Sequence, residues 1–349
     1  MITLTKLSPP PQLKGLDFST EEIRRARKEN RMLVISIETS NVCNLKCIYC
    51  YTDAGKKLPN ELTLDEYKNI LDQAIELGAK EVAIAGAGEP LLDPQFFKIL
   101  DLIKERNLYL ILYTNATLID KVVARKLFDS PVTVVATLNS MKPEVQNELC
   151  GSIPMTYEKM MQGIYHLMDA GFNKTNPTRI AIDAFVVKET IDEASDIFRF
   201  ARMNNIFPYI CRVFLSGRAT GRDLDVSNDQ FKELTYKLLE IDESEFGYTW
   251  EPRPPFVASQ CQLVYINMVI GIQGNIRPCY SVFMNAGNIR KQSLKELWNS
   301  DLLRSARNME SNLKGKCGSC SLKGECFGCR CRTFAMTGDL FASDPACWR

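Results

Sequence analysis

From residue 33 the chain alternates two hydrophobic patterns. Short apolar and β-branched runs, "LVISIETS" (33–40), "EVAIAG" (81–86), "YLILYT" (109–114), "VTVVATLN" (132–139), "RIAIDAFVV" (179–187) and "YICRVFL" (209–215), read as strands. The segments between and after them, "TLDEYKNILDQAIELG", "PQFFKILDLIKER", "IDKVVARKLF", "TYEKMMQGIYHLMDAG", "DEASDIFRFARMN" and "NDQFKELTYKLLEID", carry apolar residues at helical spacing. Strand and helix in regular alternation predict an α/β fold, a parallel sheet wrapped by helices. Six such units make a partial (β/α)6 TIM-like barrel, with reactive groups on the loops at the carboxyl ends of its strands.

The alternation stops at "YTWEPRPPFVASQ" (248–260), where clustered prolines mark a linker. The chain then divides into an N-terminal extension (1–32), the barrel (33–247), the linker and a small cysteine-rich domain (261–349). That last region has eight cysteines, short segments and little sign of its own apolar core, so metal ligation is expected to help hold it together.

Lysine and arginine total 43 against 42 acidic residues, a balance that gives no net attraction to nucleic acid or an anionic membrane. No stretch approaches the roughly 18 apolar residues of a membrane span, and "MITLTKLSPPPQLKGLDF" does not read as a secretion signal. A cytoplasmic location is the expectation. Thirteen cysteines in a reducing compartment then point to metal binding or catalysis rather than disulfides. The single histidine, His166, falls in a helical segment and leaves little room for imidazole-based chemistry.

In "NVCNLKCIYCY" (41–51), the loop after the first strand, Cys43, Cys47 and Cys50 form a C-x3-C-x2-C triplet with no local fourth donor. Zinc closes on four protein ligands, whereas a four-iron cluster held by three thiolates keeps one iron open for a small chelating ligand. The triplet, with Tyr49 before its last cysteine, resembles the C-x3-C-x-aromatic-C motif of the radical S-adenosylmethionine (SAM) superfamily. The resemblance implies a [4Fe-4S] cluster on Cys43, Cys47 and Cys50, with SAM on its open iron as source of a 5'-deoxyadenosyl radical, and Tyr49 near the adenine. "GAGEP" resembles the family's glycine-rich G-G-E-P turn, with Ala87 in place of one glycine. Gly86, Ala87 and Gly88 would let backbone approach the cofactor, and Glu89 would accept from its ammonium group. Asn115, Ser140 and Asp183 fall where the family contacts the cofactor's carboxylate or ribose; each has the alternative of ordering its strand end or turn.

In the tail, Cys261, Gly274 and Cys279 fit the C-x12-G-x4-C opening of the SPASM extension, and "GCRC", "TGD" and "DPAC" resemble the pyrroloquinoline-quinone maturase and haem-pathway decarboxylases. The family's interleaved ligation implies two auxiliary iron-sulfur clusters. Cys261, Cys279, Cys329 and Cys331 would hold the first, [4Fe-4S] or [2Fe-2S]. Cys317, Cys320, Cys326 and Cys347 would hold the second, a [4Fe-4S] cluster. The competing reading of the tail is a pair of zinc-ribbon knuckles.

Cys150 and Cys211 are left over. Each is either a buried small hydrophobe or, as in radical epimerases, a hydrogen donor to a substrate radical. The resemblance implies an oxidoreductase or an epimerase, and an electron donor such as flavodoxin or ferredoxin. The segment before the first strand is too short for a leader-binding unit. The expected substrate is therefore a small hydroxylated molecule, a sugar, aminocyclitol or nucleoside in natural-product or cofactor biosynthesis, undergoing epimerisation or dehydrogenation. Two alternatives stand beside it: a maturase of ribosomal peptides with a separate leader-binding partner, and a haem-pathway decarboxylase.

Overall fold

The computed structural model describes residues 7–349; the first six positions of the N-terminal extension lie outside the described residues. Six parallel strands follow one another in the sheet: β1 (Val34–Ile37), β2 (Glu81–Ile84), β3 (Tyr109–Thr114), β4 (Val132–Thr137), β5 (Ile180–Val186) and β6 (Phe207–Arg212). Each crossover carries a helix whose apolar face packs on the sheet, which is what brings successive strands side by side. These helices are α2 (Leu64–Glu76), α3 (Phe96–Glu105), α4 (Lys121–Phe128), α5 (Pro143–Leu149), α6 (Thr156–Ala170) and α7 (Ala194–Met203), preceded by α1 (Thr20–Lys28) and followed by α8 (Asn228–Ile241). Capping boxes start α2 at Thr63 with Glu66 and α8 at Ser227 with Gln230, satisfying N–H groups that have no partner within the helix.

Two features depart from the local pattern. Helix α5 was not evident from periodicity, being a short segment entered through Pro143. Strand β6 begins two residues early because Pro208, which cannot donate a ladder bond, is tolerated there on the edge of the sheet.

The larger departure concerns the cysteine-rich region. Strand β7 (Asn267–Ile270) runs parallel to β1, pairing Val34 with Asn267, and β8 (Ile276–Arg277) turns back antiparallel to it, so both extend the barrel sheet. Leu294, Leu297, Trp298 and Leu303 are buried in the same apolar cluster as the barrel helices, and the Trp298 indole donates to the Asn30 carbonyl at 2.9 Å. The region thus shares the barrel's core, and residue 261 is no seam in the packing. The proline-rich linker is not free either. Val257 donates to the Ile210 carbonyl at 3.0 Å, covering the edge of β6.

At the far side of β6, Asp225 binds two nearly buried guanidiniums: Arg212, at 2.8 Å, and Arg332 from the tail. Arg332 also donates to the Val213 carbonyl at 2.9 Å, which fixes the tail against the end of the strand.

Candidate active site

At the carboxyl ends of the strands lies a cavity of about 340 Å³, and two separate groups of cysteines line it. Cys43, Cys47 and Cys50 come from the loop after β1; Cys261, Cys279, Cys329 and Cys331 come from the tail. The glycine turn after β2 is stitched to the first group. Gly88 donates to the Ser40 carbonyl and Glu89 to that of Val42, both at 2.9 Å, while the Thr52 hydroxyl donates to the Ala87 carbonyl at 3.0 Å. A Cβ on Gly88 would lie 2.1 Å from the Val42 oxygen. Gly86 has φ +78 and would place a Cβ 2.2 Å from the Tyr51 hydroxyl. Both positions therefore demand glycine.

Glu89 is buried beneath this turn and accepts from the Thr114 hydroxyl at 2.7 Å, Asn115 N–H at 2.8 Å and Leu91 N–H at 3.1 Å. Burial pushes its carboxyl above the usual range, and these three donors pull it back. Glu89, Asn115, Ala87, Gly86 and Gly88 all reach the cavity, as does the Tyr49 ring, which packs 5.8 Å from Phe185.

Strand register builds the adjoining wall. Asp183 pairs with Tyr209 and Phe185 with Cys211, and because alternate residues share a face, all four side chains meet the cavity. Cys211 is buried, and desolvation followed by the nearby Asp183 holds its thiol neutral. The Asp183 carboxyl is pushed up to about 7 by burial alone, with no hydrogen bond offsetting it. The folded chain therefore keeps a proton on Asp183 that the unfolded chain releases above about pH 4, so stability falls as pH rises from there toward 7. Asp183→Asn should raise the melting temperature at about pH 8 and leave it unchanged near pH 4, as read by thermal unfolding of matched samples.

Two expected site residues lie elsewhere. Ser140 is fully buried beside the cavity wall, not in it; its hydroxyl donates to Glu193 at 2.6 Å and its N–H to Gln146 at 2.9 Å, so it orders the turn after β4. Cys150 sits behind Tyr49, 3.9 Å from its hydroxyl, and receives the Gln146 amide at 3.1 Å in a pocket with Leu45 and Met160. Neither lines the cavity, although Cys150 lies against Cys47 from behind. Conversely, the aromatic wall of Tyr113, Phe185, Tyr209, Phe214, Tyr280 and Phe327 was missed. The period-2 positions Asp183/Phe185 and Tyr209/Cys211 were the available signal for part of it.

A Radical SAM superfamily model matches residues 37–201, and a SPASM iron-sulfur cluster-binding model matches residues 261–321. The chain is a radical SAM protein with a SPASM domain. It is 28% identical to the AdoMet-dependent heme synthase of Methanosarcina barkeri over 91% of this chain and 97% of that protein. It is 25% identical to the mycofactocin maturase MftC of Mycolicibacterium smegmatis, over 99% of this chain and 88% of that one. Streptococcus suis SuiB bound to its precursor peptide SuiA superposes with a TM-score of 0.72 at 22% identity, covering 96% of this chain and 82% of SuiB.

The donor set of this radical SAM protein suits iron-sulfur ligation. Burial pushes the Cys43 thiol up to about 12 and Cys261 up to about 11, so each needs a cationic centre to become a thiolate. Backbone N–H groups point at the sulfurs: Leu45 at Cys43 (3.5 Å), Ser281 at Cys331 (3.4 Å), Gly328 at Cys326 (3.4 Å) and Asp344 at Cys317 (3.4 Å). Such donors stabilise thiolates and tune cluster potentials. Cys326 neighbours Cys317 and Cys320, and Cys347 neighbours Cys317 and Cys326, forming a third group outside the cavity. Among the described residues no three Cys, His, Asp or Glu side chains converge as a lone ion requires; clusters spread their ligands more widely. No helix among the described residues is long and apolar enough to cross a membrane.

Proposed function

We propose that this radical SAM enzyme oxidatively decarboxylates a largely apolar carboxylic acid, the haem-pathway type of reaction. One observation carries the reading: a single aromatic cavity has the Cys43 triplet and the Cys261 quartet on its walls. Cys43, Cys47 and Cys50 would hold the [4Fe-4S] cluster that binds SAM; the Cys261, Cys279, Cys329, Cys331 and Cys317, Cys320, Cys326, Cys347 sets would hold auxiliary clusters. When bound, these groups would supply a hydrogen-abstracting 5'-deoxyadenosyl radical and, beside the same substrate, an electron acceptor. A saturated carboxylate that loses one hydrogen atom, one electron and carbon dioxide leaves as an alkene, so the balance closes. Glu89 would receive the SAM ammonium, the glycine turn would let the cofactor approach, and the aromatic wall would exclude water from the substrate radical.

The small hydroxylated substrate expected from the bare architecture gives way here. A sugar or aminocyclitol needs many hydrogen-bond partners, and aromatic rings make up much of the cavity lining. Similarity to the heme synthase across nearly its whole length supports the same choice. A second reading, peptide maturation with a separate leader-binding partner, is favoured by similarity to MftC along 99% of this chain. Reduced flavodoxin or ferredoxin would supply the priming electron.

The test is incubation of the reconstituted, reduced enzyme with SAM and a porphyrin propionate. Carbon dioxide and 5'-deoxyadenosine in equal amounts support the proposal; 5'-deoxyadenosine without carbon dioxide removes it. Cys211 sharpens the result. For an oxidation, product formed in deuterium oxide carries no solvent deuterium and Cys211→Ala turns over within about fivefold of wild type. One deuterium per turnover, lost in Cys211→Ala, would instead restore hydrogen return from the thiol.

A further inference from the structure

Beside the catalytic cavity lies a larger concavity of about 1260 Å³, and the two share Phe18, Ile23, Gln260 and Gln262 in their walls. Its lining is cationic. Arg24, Arg27 and Lys28 from α1, with Arg31 just beyond it, recur at spacings of three and four, which sets them on one side of the helix axis. Arg304 and Arg307 come from the Asp301–Arg307 helix and Arg253 from the linker. Among the described residues of the lining, Glu310 and Glu325 alone oppose these seven cations. The overall charge balance, +1 for the chain, conceals this concentration.

Part of the charge is spoken for. Arg27 pairs with Glu310 at 2.8 Å and stacks 3.8 Å over Tyr265; Arg253 pairs with Glu325 at 3.0 Å; Arg304 pairs with Asp301 at 2.6 Å. Arg24, Lys28 and Arg307 pair with no carboxylate among the described residues. Arg307 is the telling one. It is half-buried, stacked 3.7 Å over Trp298, and donates only to neutral oxygens, the Trp298 carbonyl at 2.7 Å and Asn30 Oδ1 at 3.1 Å. Burial, and then the neighbouring Arg304, push its pKa down to about 10. A guanidinium fixed by stacking, partly desolvated and lacking a counter-ion is complementary to an incoming anion.

We infer that this vestibule is the anchoring site for the anionic part of the substrate, a molecule with several carboxylates whose apolar portion passes Phe18 and Ile23 into the aromatic cavity. The inference rests on the decarboxylation reading and extends it: one carboxylate chain enters the cavity while others are held outside by Arg24 and Arg307. Arginine suits this role because its planar fork binds carboxylates bidentately. Depth follows from the same arrangement, since the anchored groups determine how far the reacting chain reaches past the shared wall.

The experiment uses the cluster-loaded enzyme and coproporphyrin III, a tetracarboxylic porphyrin, with binding read by quenching of tryptophan fluorescence, Trp298 lying in the vestibule wall. Arg24→Gln is expected to weaken binding about tenfold and Arg24→Gln/Arg307→Gln about a hundredfold, the scale of charge-assisted hydrogen bonds, with KM rising and kcat little changed. Arg307→Lys should recover part of the loss. Arg25→Gln, on the same helix but paired with Glu29, should bind as wild type. The tetramethyl ester should bind far more weakly than the acid. An ester that binds as tightly as the acid, or wild-type affinity in both glutamine variants, overturns the inference. Tight arginine-dependent binding of inorganic pyrophosphate, with none of the porphyrin, would overturn the carboxylate assignment in favour of phosphate. Arginine-dependent binding without carbon dioxide release would defeat the decarboxylation reading and leave the anchor standing; carbon dioxide release with unchanged KM in the variants would do the reverse.

Discussion

Replacing Cys43, Cys47 and Cys50 together by alanine is expected to abolish formation of 5'-deoxyadenosine, a loss of at least about a thousandfold, while charge-transfer absorbance from the tail persists. The triplet occupies one loop after β1 that contains no fourth cysteine, so nothing in that loop could hold iron once the thiols are gone. The eight tail cysteines belong to other segments, and their sulfurs take backbone N–H donors from Ser281, Gly328 and Asp344 rather than from the barrel loop. The measurements are chromatographic quantitation of 5'-deoxyadenosine and absorbance in the visible range. Retained SAM cleavage would refute the assignment of the triplet. Loss of all absorbance would show that the two cysteine groups fold as one unit, a result the shared sheet and core make physically intelligible but the separate ligation does not predict.

Asp225→Ala should cause a large loss of stability. Arg212 and Arg332 have side chains 4% and 2% exposed, and both direct guanidinium nitrogens at this one carboxylate. Removing it leaves two buried charges without compensation, a change that costs about 3–5 kcal/mol in comparable cases. A melting temperature lower by roughly 4–7 °C is expected for a chain of this size. The effect should reach the active site, because Arg332 adjoins Cys331 in sequence and ties it to the end of β6 through the Val213 carbonyl. Unchanged melting would mean that water or rearrangement satisfies both guanidiniums, and the tail would then be held by packing alone.

What the sequence disclosed follows the range of the interactions involved. The six βα units were legible because each strand and its crossover helix are written in contiguous residues, and strand limits moved by only a few positions. The cysteine triplet was legible for the same reason. The joining of β7 to β1 was not, since Val34 and Asn267 pair across most of the chain and no local period announces such a partner. Polar residues at strand ends posed a subtler problem. Asp183 and Ser140 looked equivalent, yet register turns Asp183 into the cavity beside Tyr209, whereas Ser140 is captured by Glu193 and Gln146. The two spare cysteines divided likewise, Cys211 onto the cavity wall and Cys150 behind Tyr49. The arginine vestibule is not legible in the sequence because summing charges over a chain erases where they stand.

The central claim is that eleven of the thirteen cysteines form three ligand groups, of three, four and four, two of which face one cavity. Iron and acid-labile sulfide analysis of the anaerobically reconstituted chain tests it most directly. The account predicts about ten to twelve irons per chain with sulfide in near-equal amount, according to whether the first auxiliary cluster has two irons or four. About four irons, or zinc in stoichiometric amount with no sulfide to match, would contradict it.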